Sequence, residues 1–417
     1  MQKISLRNNI ELVYKNTKNT PRVALSIYIS IDKQEKYAGI YSLMNRLFLQ
    51  GTKTRTSAQL AKILDENAIE CYSVYKADNI RFQLLCLNED FKLGLEILKD
   101  IILNTTFEEF EKEKTKLRGE IEADLDTPKA LAVDAFYRNL YKDKIYGNTG
   151  SKILEDLDKI TKEDVINAYN QILNSSRKVM TLVGDIEFEN IKGYIEESFI
   201  DLKNAEYIEE EEKGDSLEKF ELIKVEKEEV SQAQILWGWY APRLKSEEYG
   251  SMLVLNTILG ACGLSSRLFT ELRDKKGLAY VVRSNYETYR KSANINVYIA
   301  TDPKNINTSI EGFVYELNRL KQEFVSEKEL ENAKNNILGK RKFYLETNLQ
   351  QASLYSYYLL ENLGLDFETK IKELVLKVTK EDIKEIANKY FIGNRSILTI
   401  LGPKEELDKI DPSNIKL

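Results

Sequence analysis

Thr161-Lys-Glu-Asp-Val165, leading through Asn170 and Arg177 to Thr181-Leu-Val-Gly184, returns as Thr379-Lys-Glu-Asp-Ile383, leading through Asn388 and Arg395 to Thr399-Ile-Leu-Gly402. The offset is 218 residues at every one of these positions. Each copy reads as a helix capped by its threonine, followed by an apolar strand that stops at glycine. A gapless repeat at about half the chain length means that a whole domain has been duplicated. The sequence therefore divides into a domain at 1–205, an acidic linker at 206–219 and a second domain at 220–417, the linker being a solvated charge run.

Outward from each repeat, the two halves repeat the same order. In the first, Ile10 to Tyr14 and Val23 to Ile31 alternate as strands. Helices follow at Gly39 to Leu49 and, capped by Thr56-Ser57, at Ala58 to Asn67. A strand pair, Ile69 to Tyr75 and Ile80 to Leu87, precedes a helix from Phe91 and a long charged helix from near Phe107, which Pro128 breaks or kinks. In the second half, strands at Phe220 to Val225 and Ala233 to Tyr240 lead to a helix at Glu247 to Leu259. Strands at Val281 to Tyr289 and Ala293 to Ala300 then precede helices from Ile306 and Glu327. Strands followed by blocks of helices predict an α+β fold, two homologous domains each with helices on one face of an antiparallel sheet.

Composition narrows the chemistry. The 417 residues carry a net charge of −6, which offers nothing to a nucleic acid. No apolar run is long enough to span a bilayer, and the N-terminus lacks the apolar core of a signal peptide. Three cysteines without Cys-x-x-Cys spacing predict free thiols in a reducing cytoplasm. The chain contains no histidine, so it has no imidazole base or imidazole metal ligand.

Leu264 to Tyr280, Leu-Ser-Ser-Arg-Leu-Phe-Thr-Glu-Leu-Arg-Asp-Lys-Lys-Gly-Leu-Ala-Tyr, reads as a short amphipathic helix with Leu264, Leu268, Phe269 and Leu272 on its apolar face. Gly277 ends it, and the chain enters a strand. Spacing alone describes a surface Arg273 and a half-buried sheet Tyr280. Folded together across the Gly277 turn, they form a donor pair for a carbonyl or an oxyanion.

These features resemble the M16 (insulinase, mitochondrial-processing-peptidase) family across both halves, including the duplicated order of elements. The resemblance implies paired α+β domains forming half of a clamshell. The family's zinc motif is His-x-x-Glu-His followed by an apolar pair and Gly-Thr. Here Gly51-Thr52 is present, but the motif positions read Ser42-Leu-Met-Asn45-Arg46. A serine and an arginine cannot replace two imidazoles, and the arginine charge repels the ion. The family's further glutamate ligand corresponds to Glu120, with Glu113 two turns earlier; without the other ligands both read as polar helix residues. The family's Arg…Tyr pair, following a Ser-Arg-Leu-Phe helix, matches Arg273 and Tyr280. In two-chain members the metal and this pair come from different chains. The resemblance thus implies the non-metal subunit of a heterodimeric zinc peptidase, with no metal of its own, a His-x-x-Glu-His partner holding the zinc, and a peptide substrate. The edge near Ile69 to Tyr75 corresponds to the strand that holds peptide in the metal subunit. A catalytically inactive scaffold or peptide-holding homologue is the alternative, against which retention of Arg273 and Tyr280 argues.

Overall fold

A computed structural model of the chain describes all residues except 19, 210–214 and 416. Residues 210–214 of the acidic stretch assigned to the linker lie outside the described residues. The repeated segments fold as their sequences predict. Thr161 and Thr379 each close a capping box, accepting the N–H of Asp164 or Asp382, whose carboxylate accepts the threonine's own N–H.

In chain order the strands are β1 (Gln2–Ser5), β2 (Glu11–Asn16), β3 (Arg22–Ser30), β4 (Glu70–Lys76), β5 (Asn79–Leu87), β6 (Lys178–Gly184), β7 (Glu221–Glu226), β8 (Ala233–Tyr240), β9 (Ala279–Thr288), β10 (Ala293–Thr301) and β11 (Ile397–Gly402). The α-helices of the first half are α1 (Ile40–Leu47), α2 (Ser57–Glu66), α3 (Phe91–Asn104), α4 (Phe110–Leu125), α5 (Pro128–Leu140), α6 (Gly150–Leu157), α7 (Lys162–Ser175) and α8 (Phe188–Phe199). Those of the second are α9 (Tyr249–Asn256), α10 (Ile306–Gln322), α11 (Glu327–Phe343), α12 (Asn348–Leu360), α13 (Phe367–Lys377), α14 (Lys380–Tyr390) and α15 (Lys404–Asp408). No described helix is long and apolar enough to cross a membrane.

One sheet runs β1-β2-β6-β3-β5-β4 and the other β7-β11-β8-β10-β9, so the second repeats the first without β1. The pairings are antiparallel except β2 with β6 and β7 with β11, where the repeated strand returns beside the equivalent strand of its half. The fold is α+β and the halves are homologous in topology.

The division at 205 and 220 does not describe the packing. The chain forms two compact units, neither continuous: residues 1–121, 152–209 and 342–367, and residues 122–151, 210–341 and 368–417. Each half sends one helix to the other's sheet. Pro128, at the first position of α5 with Thr127 as its cap, starts a new helix rather than merely ending the previous one. Thr347 caps α12 in the equivalent place with a capping box.

The exchanged helices lie on the sheet face opposite the others. On β5, Phe82 meets Phe48, which follows α1, and Leu84 meets Gly94 of α3. The alternate residue Gln83 donates to Ser353 of α12, and Ala24 and Val183 pack on Ala352. Because side chains alternate across a strand, α12 covers the other face. In the second sheet, Trp239 meets Phe391 edge to face, while its neighbour Gly238 faces Phe136 of α5. Helices therefore pack on both faces, and β6, β10 and β11 are buried along their whole length.

Candidate functional site

In the first unit, α1 carries Ser42, Asn45 and Arg46. Its apolar side, Ile40, Tyr41, Leu43, Met44 and Leu47, is buried. The Glu35 carboxylate accepts the N–H groups of Gly39 and Tyr41, supplying acceptors at the helix start where no side chain in the cap position does so. Below the last turn, Thr52 and Thr54 hydroxyls donate to Asp100 at 2.6 Å each and Arg55 adds a bond of 2.9 Å. Burial of Asp100 raises its pKa, but these bonds outweigh it and hold the carboxyl below its ordinary value.

Arg46 does more than exclude a cation. Its Nη1 and Nη2 grip the two oxygens of Glu120 at 2.8 and 2.7 Å, and its Nε donates to Glu113 at 3.1 Å. Glu113 is buried and also accepts from Lys116 at 2.7 Å. The hydrogen bond with Glu120 is the largest influence on both groups, raising the guanidinium pKa and lowering that of the carboxyl. A planar fork on a carboxylate is the strongest geometry this pair can adopt. The two glutamates, read from sequence as polar helix residues, thus share a built-in cation. The seven-residue spacing of Glu113 and Glu120 opposite a single arginine was the signal for it.

Asn45, where the family has its base, carries a buried Oδ1 without a hydrogen-bond partner, and its carbonyl accepts from Ser73 of the edge strand β4. An amide offers no basic lone pair at neutral pH. With the carboxylates claimed by Arg46 and no imidazole in the chain, these residues do not fit zinc. Among the described residues no group of three or more His, Cys, Asp or Glu is arranged to hold a metal.

In the second unit, the stretch from Leu264 differs from a plain α-helix. Leu264 lies on the surface, 74% exposed, because the chain turns through Gly263 (φ 78°) and helical structure begins only beyond Ser266. Phe269–Lys275 is then a π-helical segment. Leu268, Phe269 and Leu272 are buried as expected. Gly277, at φ 63°, reverses the chain, and Leu278 N–H donates back to the Leu272 carbonyl.

The turn brings Arg273 and Tyr280 together. Arg273 Nη1 donates to the Tyr280 carbonyl at 2.6 Å, and the guanidinium carbon lies 4.6 Å from the tyrosine ring centroid. Tyr280 is not half-buried: 75% of it is exposed. π-segments recur at functional sites because the extra residue moves a side chain off the regular helical face.

Two family models match the chain: Insulinase (Peptidase family M16) over residues 11–152 and Peptidase M16 inactive domain over residues 159–337. The chain belongs to the M16 peptidase family. Its relatives include an uncharacterized zinc protease of Rickettsia felis, 26% identical, with 96% of this chain and 97% of that one aligned. Another is the uncharacterized zinc protease YmxG of Bacillus subtilis, also 26% identical, with 85% and 86% aligned. Among solved structures, a peptidase M16 inactive domain from Pseudomonas fluorescens superposes with a TM-score of 0.87 at 17% identity, covering 97% of this chain and 98% of that one. A protease from Helicobacter pylori gives 0.86 at 21% identity, covering 96% and 99%.

Proposed function

We propose that this chain is the non-metal subunit of a heterodimeric M16 zinc peptidase, acting in the cytoplasm on peptides beside a partner that carries His-x-x-Glu-His. The observation that carries this reading is the occupation of Glu113 and Glu120 by Arg46, together with an exposed Tyr280 tied to Arg273. A subunit with a closed metal position and an open donor pair needs a second chain to complete a peptidase.

In that role the Tyr280 hydroxyl donates to the oxygen that gains negative charge when a peptide carbonyl is attacked. Arg273 supplies positioning. Neither group activates water, so the chain alone has no hydrolytic power. The two buried thiols, Cys71 and Cys86, are free, and burial pushes both up to about 12, which keeps them out of nucleophilic chemistry.

The test is co-expression with an M16 homologue encoded nearby that has an intact motif, followed by peptidase assays of each chain and the complex. The complex should be active and each chain alone inactive. Tyr280→Phe should lower kcat of the complex by about two to three orders of magnitude without changing dimer content on size exclusion. An inactive complex, or one indifferent to Tyr280→Phe, would favour a scaffold or peptide-holding role.

A further inference from the structure

β9 pairs residue for residue with β10 from Thr288↔Ala293 to Val281↔Ala300, then skips to Ala279↔Thr301. Tyr280 is the extra residue of this bulge. A bulge takes the extra residue's backbone out of the ladder and re-aims its side chain. The carbonyl that the bulge releases is the one Arg273 Nη1 holds.

The same guanidinium lies over two aromatic rings. Its carbon lies 4.6 Å from the Phe269 ring centroid and 4.6 Å from that of Tyr280. Two cation–π contacts and the bond to the Tyr280 carbonyl restrict the guanidinium, which keeps its donor direction on the bulge. The π-segment beneath is itself pinned. Leu272 fills the space where Gly312 of α10 has no side chain, and a Cβ there would stand 2.1 Å from Leu272 Cδ2.

We infer that Phe269 and Arg273 are positioning residues for Tyr280: the ring of Phe269 orients the guanidinium, and the guanidinium locks the bulge that turns the phenol outward. This rests on the reading of Tyr280 as a donor in trans, and assigns the positioning share of Arg273 to a contact with Tyr280 itself. A lysine in place of Arg273 has no plane to stack, and a leucine in place of Phe269 has no π face to offer.

The arrangement is testable on the full chain without a partner. With 3-fluorotyrosine placed only at position 280, the 19F resonance should be a single line displaced from that of free fluorotyrosine. Phe269→Leu and Arg273→Lys should each move it toward the free value, with circular dichroism unchanged, and Phe269→Tyr should restore it. A resonance unaffected by Phe269→Leu and Arg273→Lys in folded protein overturns the inference. In the assembled peptidase, Phe269→Leu should lower kcat about tenfold with little change in KM. Combining it with Arg273→Ala should add nothing to Arg273→Ala alone. Fully additive losses also overturn it. A moved resonance with unchanged turnover would keep the contacts of Arg273 with both rings and remove the trans-donor reading.

Discussion

Arg46 shows what one substitution does when its neighbours are kept. Arg46, Glu113 and Glu120 depend on one another. Arg46→Ala leaves buried Glu113 with, among the described residues, only Lys116 as ion partner and should destabilise the protein by about 2–4 kcal/mol, measured by urea unfolding. The double variant Arg46→Leu, Glu113→Leu should be closer to wild type than Arg46→Ala, since the charges it leaves without these partners, Glu120 and Lys116, are solvent-exposed and no buried charge is left unpaired. An equal or larger loss in the double variant would contradict this. Lys178, at the start of β6, offers a second residue-scale test. It is fully buried and donates to the Ser176 and Lys203 carbonyls at 2.8 and 2.7 Å. Burial pulls its pKa from 10.5 down to about 8, against a smaller opposing pull from Asp32. Between those values the unfolded chain binds more protons than the folded one, so this lysine's contribution to stability increases as pH rises through that window. The difference in unfolding free energy between wild type and Lys178→Met should shift toward wild type by on the order of 2 kcal/mol from pH 7.5 to pH 10. A pH-independent difference would show that the amine titrates normally.

At the scale of elements, the exchanged helices depend on close approach. A Cβ on Gly238 would stand 2.4 Å from Phe136 Cζ, so α5 reaches β8 only because that strand position has no side chain. Gly238→Ala should destabilise by about 1–3 kcal/mol through overpacking. Adding Phe136→Leu should recover part of the loss, a non-additivity that a double-mutant cycle on thermal or urea unfolding would read. Strictly additive losses would mean that the two do not meet. The strands, the capped helices and the stop at Gly277 were legible in the sequence because each has a local cause: alternation, a threonine cap, a left-handed glycine. Even β8 and β10 were located to within a residue. The exchange of α5 and α12 was not legible, because a 3.6-residue pattern says which side of a helix is apolar and not which sheet receives it. Nor was the π-segment: Leu268, Phe269 and Leu272 suit an α-helix equally well. The pairing of Arg273 with Tyr280 needed both the turn at Gly277 and the bulge at Tyr280, and only the turn leaves a sequence signal.

For the molecule as a whole, the exchange makes the duplicated halves poor independent folding units despite their matching topology. A fragment ending at residue 209 keeps all six strands of its sheet but loses residues 342–367, and with them the helix covering Ala24, Leu85 and Val183. That face also carries buried Ser26 and Thr181, whose hydroxyls have no hydrogen-bond partner in the intact chain. Without α12 the sheet would expose apolar surface on one side while keeping its helices on the other. The fragment should therefore bind 1-anilinonaphthalene-8-sulfonate and unfold without a sharp transition, retaining much of its far-ultraviolet dichroism. A synthetic peptide of residues 342–367 added in trans should lower dye binding and restore a cooperative transition whose midpoint rises with peptide concentration. The same peptide with Ala352→Arg should fail, because that side chain would meet Ala24 and Val183 in the dry interior. Cooperative unfolding of the 1–209 fragment alone, at the stability of the intact chain, would show that the exchanged helix is dispensable and that the boundary at 205 is the working one after all.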